Sequence, residues 1–421
     1  MNAGVISLLA LVVAIVIGFT RKSNVGILCM GFAMIIGELY GFSSKDVISG
    51  FSSSLCIQML EIMYFFAIIN GNGTLTIVAN KVVALVGKKH YLIPVVMFVI
   101  GYVLCAVGPG AIPTLTIIPI LAVPIAVSAG LNPIMVALIG QMGVQAGRMS
   151  PLTPEAAVVE SLMTESQISG STIPIGLCML LVDVILSLGV YIYYKGWKVE
   201  QVQKQEVKNT EELKLQKEHI ISLAALVVVI AGVLFFSWNV GLSGFLAGSI
   251  LIALGIGDEK KAIKGISWNV VLMVLGVGVL MNIISLSGGI DILVDILENI
   301  MGPKTAAAIL SLVAAILSFF SSGLGVVFPT FVPVAGQLAG TFGINALELT
   351  AAVVVGGTIT GISPISSVGA LVMAAVAQEE GSEKKYPQNK LFVELFAIAF
   401  AGMLILFLLA LCGAFGFICG K

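Results

Sequence analysis

Four short segments of the sequence place glycine, proline and hydroxyl residues inside otherwise apolar runs: 107–114, 147–154, 321–325 and 361–367. Glycine lets a backbone turn and approach a ligand closely, and Ser or Thr before Pro is typical of a helix start. Ser150-Pro151, Thr153-Pro154 and Ser363-Pro364 are therefore each predicted to begin a half-helix. The free N–H groups of such starts favour anions, and unwound carbonyls nearby suit sodium.

Arg148 lies inside the second of these breaks, and the only other arginine is Arg21. Counted from a predicted membrane boundary at Asn132, Arg148 falls near mid-membrane at about 1.5 Å per helical residue. A guanidinium there is costly unless paired, and it can hold a carboxylate through two parallel hydrogen bonds. One interpretation is contact with a carboxylate ligand, and the other is pairing with Glu155 or snorkelling to the membrane surface.

The residues predicted to contact an anionic substrate are Gly108, Pro109, Gly110, Thr114, Arg148, Ser150, Thr153, Ser321, Ser322, Gly323, Ser363, Ser366 and Ser367. Sodium is expected near Gly108, Gly147, Ser150, Ser322, Gly361 and Ser363. Two further acids, Glu61 and Asp183, lie within predicted membrane helices, where each is either a proton relay or a packing residue. We interpret both as packing residues. No catalytic residue is predicted, and no cofactor beyond Na⁺ as the coupling ion.

The composition indicates a membrane protein. Hydrophobic residues make up 58% of the chain, charged residues 10%, and the mean hydropathy is +1.11. Soluble domains carry about 25% charged residues, so a soluble globular protein is excluded. Apolar runs of about 17–25 residues, each long enough to cross a bilayer, predict an all-α polytopic membrane protein. No basic patch suggests a nucleic-acid partner.

The sequence also repeats itself at a spacing of about 215 residues. Asn24-Val25-Gly26 recurs as Asn239-Val240-Gly241, and Gly108-Pro109-Gly110 recurs as Gly323-Leu324-Gly325. The spacing drifts to about 213 at the Ser-Pro pairs, and Ile362 is predicted as the counterpart of Arg148. We therefore divide the chain into a first repeat, 1–194, a hydrophilic linker, 195–219, and a second repeat, 220–421.

Lysine and arginine cluster at alternate turns and in the linker. By the positive-inside rule, this places both termini outside and the linker 195–219 in the cytoplasm. Each half then has an odd number of crossings, which turns the second half upside down relative to the first. Five are predicted in each half, near 4–20, 25–41, 52–70, 132–165 and 173–194, and near 220–236, 240–257, 267–286, 346–379 and 391–418.

Two apolar stretches, 91–129 and 304–342, are too long for one helix and are split in the middle by glycine and proline. We interpret them as re-entrant hairpins entering from opposite faces, preceded by amphipathic surface helices at 75–87 and 290–301. Non-helical backbone at membrane depth is tolerated only where it is buried or lines a cavity. The four breaks together therefore predict a cavity.

The chain resembles the MatC-like malonate/dicarboxylate carriers of the ion transporter superfamily. The resemblance is carried by Asn24-Val25-Gly26, Gly50-Phe51, Ile93-Pro94 and the run from Gly143 to Pro151, and in the second half by Ser363-Pro364. It implies a homodimer and an elevator-type transporter, with a transport domain of 91–165 and 304–380 moving against a scaffold of the remaining helices. Sodium coupling is common among its relatives.

These observations together predict a secondary active transporter in the cell inner membrane. The expected substrate is a small carboxylate, a C3 or C4 dicarboxylate such as malonate or succinate, coupled to sodium, with protons as the second choice. A channel or exchanger of carboxylates or other anions on the same fold is the alternative. Gly255-Ile256-Gly257-Asp258 fits the GxGD pattern of intramembrane proteases, but no partner motif accompanies it. An enzyme is therefore not expected.

Overall fold

The computed structural model describes residues 2–74, 77, 81, 89–108, 110–198, 215–236, 238–266, 268–364, 366–377 and 385–420. Within these residues the regular secondary structure is helical. Most of the predicted surface helix 75–87 and most of the linker lie outside them, as does Pro109.

The helices of the first half are α1 (Ala3–Arg21), α2 (Val25–Tyr40), α3 (Ser44–Ser49), α4 (Ser53–Gly71), α5 (Ile93–Ala106), α6 (Ala111–Ser128), α7 (Pro133–Ala146), α8 (Pro154–Glu165) and α9 (Thr172–Tyr193). A short 3₁₀ turn, His90–Leu92, precedes α5.

The helices of the second half are α10 (Lys217–Phe236), α11 (Val240–Ala253), α12 (Glu259–Gly265), α13 (Trp268–Leu286), α14 (Gly289–Glu298), α15 (Ala306–Phe320), α16 (Phe328–Phe342), α17 (Ala346–Ile359), α18 (Ser367–Ala377), α19 (Gln388–Leu411) and α20 (Ala414–Cys419). A π-helical turn, Gly323–Val327, leads into α16, and a 3₁₀ turn, Thr360–Ile362, follows α17.

Two pairs of helices from the two halves have equal lengths, and one of these pairs also shares its N-cap residue. α4 and α13 each have 19 residues, and α7 and α17 each have 14. An asparagine caps the N-terminus of both α7 and α17: Asn132 accepts hydrogen bonds from two following N–H groups, and Asn345 accepts one from Leu347. Because an asparagine at this position satisfies N–H groups that the helix leaves free, the repeated sequence produces repeated local structure.

The centre of the molecule is built on α7 and α17. All residues of α7 are buried, and α5 and α15 pack along α7 and α17 respectively. Glycines allow the close approach between α5 and α7: a Cβ at Gly101 would lie 2.3 Å from the carbonyl oxygen of Gly140, and one at Gly143 would lie 2.0 Å from that of Phe98. Elsewhere α2 packs on α13 and α11 packs on α4. Each of these contacts joins the two halves, and the two contacts are counterparts of each other, because α2 corresponds to α11 and α4 to α13.

The structure is that of a multi-pass membrane protein. Within the described residues, five helices are long and apolar enough to cross a bilayer, and several shorter apolar helices accompany them. Large apolar side chains point outward, as Leu39 at 71% exposure and Phe417 at 85% illustrate. A surface of this kind is expected where the surrounding solvent is lipid.

Three predicted crossings are broken, two as expected and one not. The stretch 132–165 is divided into α7 and α8, and the stretch 346–379 into α17 and α18, as their glycine and proline content indicated. The last crossing was predicted as one continuous helix over 391–418, and the predicted C-terminal end is wrong. α19 ends at Leu411, and Gly413 adopts φ of 76° before the short α20. Few residues other than glycine adopt this conformation, so the chain turns there.

The close contact between α5 and α7 predicts a sharp effect of Gly143→Ala. The added methyl group would meet the backbone of Phe98, and overpacking of this kind costs about 1–3 kcal/mol. We expect a lower thermal unfolding temperature for the purified variant in detergent. Gly189→Ala, within α9 and facing open space, is the matched control and should be neutral or slightly stabilising. Equal unfolding temperatures for the two variants would contradict this packing.

Candidate functional site

The tip of the first hairpin joins α5 to α6 through two buried glycines. Gly108 has φ of 145° and Gly110 has φ of 74°, conformations that side chains rarely allow. Both glycines also lie against neighbours. A Cβ at Gly108 would enter the ring of Phe66 on α4, and one at Gly110 would lie 2.4 Å from Oε2 of Glu155 on α8. The predicted break is therefore confirmed as a tight turn held between two other helices.

Glu155 occupies the helix start that this tip presents. Its Oε1 accepts a hydrogen bond of 2.8 Å from the N–H of Ala111, the first residue of α6. The side chain is 1% exposed, and its Oε2 has no hydrogen-bond partner among the described residues. A carboxylate of the protein therefore already accepts one of the N–H groups at this helix start.

The two mid-helix breaks share one arrangement of hydrogen bonds. In the first, the hydroxyl of Thr153 donates to the carbonyl of Arg148 and accepts from the N–H of Ala156. In the second, the hydroxyl of Ser366 donates to the carbonyl of Gly361 in the same way, five residues back. Each hydroxyl thereby satisfies a carbonyl that the interrupted helix leaves free.

Of the three pairs predicted to begin a half-helix, only Thr153-Pro154 does so, because Thr153 is the N-cap of α8. The other two predictions are wrong. The carbonyls of Ser150 and Ser363 instead accept hydrogen bonds from the N–H groups three residues on, each 3.0 Å long. These bonds close turns around the prolines, and the helices begin only afterwards, at Pro154 and Ser367.

Gln145 joins the two breaks. Its Nε2 donates a hydrogen bond of 3.0 Å to the carbonyl of Thr358, and the two residues are 213 positions apart. The starts of α7 and α17, Pro133 and Ala346, have the same separation, so Gln145 and Thr358 are equivalent positions of the two halves. The same spacing makes Gly361, and not Ile362, the counterpart of Arg148.

Arg148 is buried beside this connection, with 9% of the residue exposed. Its Nη1 donates to Oε1 of Gln145 at 2.8 Å, while its Nε has no partner within the described part of the chain. No carboxylate among those residues lies within ion-pair distance of it, which does not support the predicted pairing with Glu155. Its charge is still close enough to Glu155 and Asp183 to act on both.

The second hairpin tip is placed against the second break. A Cβ at Gly323 would lie 2.0 Å from the carbonyl oxygen of Gly357 near the end of α17. The hydroxyl of Ser322 accepts from the N–H of Gly325, and that of Ser321 donates to the carbonyl of Leu317. Both hydroxyls thus form local hydrogen bonds.

The remaining predicted residues divide into locally bonded and unbonded groups. Thr114 donates its hydroxyl to the carbonyl of Gly110, and Ser150 is half-buried with its hydroxyl near the N–H of Leu152. Ser363 is fully buried, and its hydroxyl has no partner among the described residues. The side chain of Ser367 and the whole of Pro109 lie outside what the structure describes.

A cavity of about 170 Å³ lies between the first hairpin tip and the helices α4 and α12. Its walls include Pro113, Glu155, Asn70 and Phe66, with Lys261 of α12 on the opposite side from the hairpin. Pockets for drug-sized ligands are about 300–1,000 Å³, so this cavity suits a smaller molecule. It places a carboxylate, an amide and an ammonium group around one space.

Three functional candidates were not among the predicted site residues: Gln145, Glu155 and Lys261. Gln145 and Glu155 are polar residues within one helical turn of a predicted break, and that position was the available signal. Lys261 belongs to a run of charges, Asp258–Lys261, which in sequence resembles any solvated loop. Only the packing of α12 beside α4 brings it to the cavity.

Comparison with solved structures finds a protein with a similar fold. The chain is similar to the crystal structure of the YdaH transporter from Alcanivorax borkumensis, with a TM-score of 0.61 over 91% of this chain and 90% of the other. At 14% identity, this likeness shows the fold alone.

The first 148 residues match the family model described as dicarboxylate carrier protein MatC N-terminus. The resemblance to MatC-like carriers is therefore confirmed over residues 1–148. No curated protein matches the sequence.

The contact of Gly110 with Glu155 predicts that Gly110→Ala will disturb the hairpin tip. The backbone of Gly110, at φ 74° and ψ −172°, lies in a region open almost only to glycine, and the new methyl group would collide with Oε2. Gly41, at φ 75°, has no atom near its Cβ position and gives the control variant Gly41→Ala. We expect the larger loss of thermal stability for Gly110→Ala, and a loss no greater than that of the control would contradict the tip geometry.

Proposed function

We propose that this protein is a secondary active transporter of a small carboxylate, represented by C3 and C4 dicarboxylates such as malonate and succinate. The observation that carries the proposal is Arg148. It is a buried guanidinium whose side-chain partner, Gln145, is neutral and whose Nε has no partner in the part of the chain that the structure describes. It lies where Gln145 joins two helix breaks. A buried cation without a matching anion is energetically costly, so the negative charge of a bound anion would compensate the charge of Arg148.

The surroundings of Arg148 favour a carboxylate over a simple halide. Ser363, in the break that Gln145 joins to the break of Arg148, has a buried hydroxyl with no partner among the described residues. Guanidinium and hydroxyl groups together match the two oxygens of a carboxylate. The family match over residues 1–148, to the N-terminus of a dicarboxylate carrier protein, supports the same substrate class.

We propose sodium as the coupling ion, bound against unwound carbonyls near Gly108, Gly147, Ser150, Ser322, Gly361 and Ser363. Four interrupted helices supply such carbonyls, and a cation beside the substrate offsets the charge of the anion. Protons are the alternative coupling ion.

We propose that the two halves are inverted repeats, each with five transmembrane helices and one re-entrant hairpin. The matched helices α4 with α13 and α7 with α17 support this arrangement. So does the bond between the equivalent residues Gln145 and Thr358, since equivalent positions meet where a two-fold axis passes. In this topology both termini are outside the inner membrane and the linker 195–219 is cytoplasmic.

Alternating access is proposed to follow an elevator motion. The transport domain, 91–165 with 304–380, would move against a scaffold formed by the other helices, and two chains would assemble as a homodimer. The cavity supports this division, because its walls come from the hairpin and α8 on one side and from α4 and α12 on the other. Movement between these two groups of helices would open or close it.

A thermal-shift screen of the purified protein against mono- and dicarboxylates, in sodium and in potassium, tests substrate and ion together. One dicarboxylate that raises the unfolding temperature only in sodium is the expected result. Counterflow in proteoliposomes then separates a carrier from a channel, because only a carrier shows stimulation by substrate on the opposite side. A protein that no carboxylate stabilises, and that takes up none, would overturn the proposal.

The two arginines of the chain provide a matched test of the anion site. Arg148→Gln removes the buried charge, whereas Arg21→Gln removes an exposed one at the end of α1. Hydrogen bonds to charged groups contribute about 1.5–3 kcal/mol, so Arg148→Gln should weaken dicarboxylate binding by more than about tenfold. Binding should be unchanged in Arg21→Gln. Isothermal calorimetry measures both, and equal affinities for Arg148→Gln and wild type would place the anion elsewhere.

A further inference from the structure

Glu155 is a buried acid to which the proposed anion site gives no role. It belongs to the first turn of α8, and one of its oxygens holds the tip of the first hairpin through Ala111. The other oxygen, Oε2, faces Gly110 and has no partner in the described residues. The side chain also lines the cavity, so Oε2 is the unpartnered polar group nearest to that space.

An ionised carboxylate in this position would be poorly compensated. Buried charges are normally paired or neutralised, and here no ion pair forms with Arg148 or Lys261 among the described residues. The single hydrogen bond from Ala111 satisfies one oxygen only. Protonation of Oε2 would remove the charge and turn an acceptor without a partner into a hydrogen-bond donor on a side chain that lines the cavity.

The helices around Glu155 carry several charged and titratable groups. α16, which packs on α8, carries none; those on the other neighbours are Arg148 in the adjoining break, Tyr102 and Cys105 on α5, Cys56, Glu61 and Tyr64 on α4, Cys178, Asp183, Tyr191 and Tyr193 on α9, and Lys261 at the cavity. Among the described residues Arg148 is the only buried arginine or lysine, whereas Glu61, Glu155 and Asp183 are all buried acids. With two of these acids ionised, Arg148 and the acids together would carry a net negative charge and repel an anion.

We propose that Glu155 binds one proton together with each anionic substrate molecule. The proposal rests on the carboxylate transport proposed above, and it adds a proton to the coupling without replacing sodium. The proton comes from water on the side to which the cavity is open and stays on Oε2. From there it donates a hydrogen bond to a substrate carboxylate, and it leaves when the substrate leaves. No covalent bond of the substrate changes.

The test is the affinity for the dicarboxylate found in the thermal-shift screen, measured between about pH 7 and about pH 9, where the substrate is fully ionised. If one proton binds with each anion, affinity falls by about tenfold per pH unit as Glu155 ionises in the free protein. Glu155→Gln keeps an acceptor for Ala111 and a donor for the substrate. We expect it to bind at every pH with the affinity that wild type shows at low pH.

Two control variants separate this role from a general effect of charge. Glu160→Gln removes an exposed acid from the same helix, and Asp183→Asn removes the other acid close to Arg148. Both should keep the pH dependence of wild type. The proposal is wrong if Glu155→Gln keeps that dependence, if wild type shows none, or if saturating sodium abolishes it, since sodium would then take the place of the proton.

Direct measurement of proton uptake covers the case in which Glu155→Gln does not fold. Substrate is mixed with wild-type protein in weakly buffered solution near the upper end of the pH range, and an indicator dye reports the proton balance. We expect one proton taken up per anion bound, and no uptake would contradict the proposal. A wild-type protein that binds no carboxylate at any pH would instead overturn the proposed function, so the two failures are distinguishable.

Discussion

Unpaired main-chain groups at four helix breaks are the constraint on which the rest of this structure depends. Water is scarce at membrane depth, so each freed N–H and carbonyl must find a partner within the protein. The hydroxyls of Thr153 and Ser366 each donate a hydrogen bond to a carbonyl. The hydroxyl of Ser322 and the carboxylate of Glu155 each accept one from an N–H group. The packing of α7 and α17 positions these side chains, and their bonds fix the shape of the site.

The two halves satisfy the unpaired main-chain groups of their breaks with different side chains nearby. At the spacing of 213 residues set by Gln145 and Thr358, the first half has Arg148 and Glu155 where the second has Gly361 and Val368. The shared hydrogen bonds hold the backbone, while the charges belong to one side only. In the proposed anion site, a bound ion would therefore meet charged side chains from the first half and neutral ones from the second.

The breaks were predictable from sequence because glycine, proline and hydroxyl residues act on the backbone within a few positions. The spacing of the two halves was predictable because matching motifs recur at a nearly constant offset. The hydrogen-bond partners of the breaks were not predictable from sequence. Glu155 reaches Ala111 across 44 positions and Gln145 reaches Thr358 across 213, and only tertiary packing decides such pairs. The starts assigned to Ser150 and Ser363 were wrong because a Ser-Pro pair also suits a turn, which a local pattern does not distinguish from a cap.

The hydrogen bond between Gln145 and Thr358 has a mechanical consequence. Both partners are buried, and the bond fastens together the breaks that carry Arg148 and Ser363. Pulling the breaks apart would leave the buried side-chain N–H of Gln145 without an acceptor, which costs about 1–3 kcal/mol. The carbonyl of Thr358 would keep its bond from the N–H of Thr360. Gates that open by separating these two breaks are therefore penalised. The less costly route carries the joined pair as one rigid body and exposes it by moving the helices that surround it.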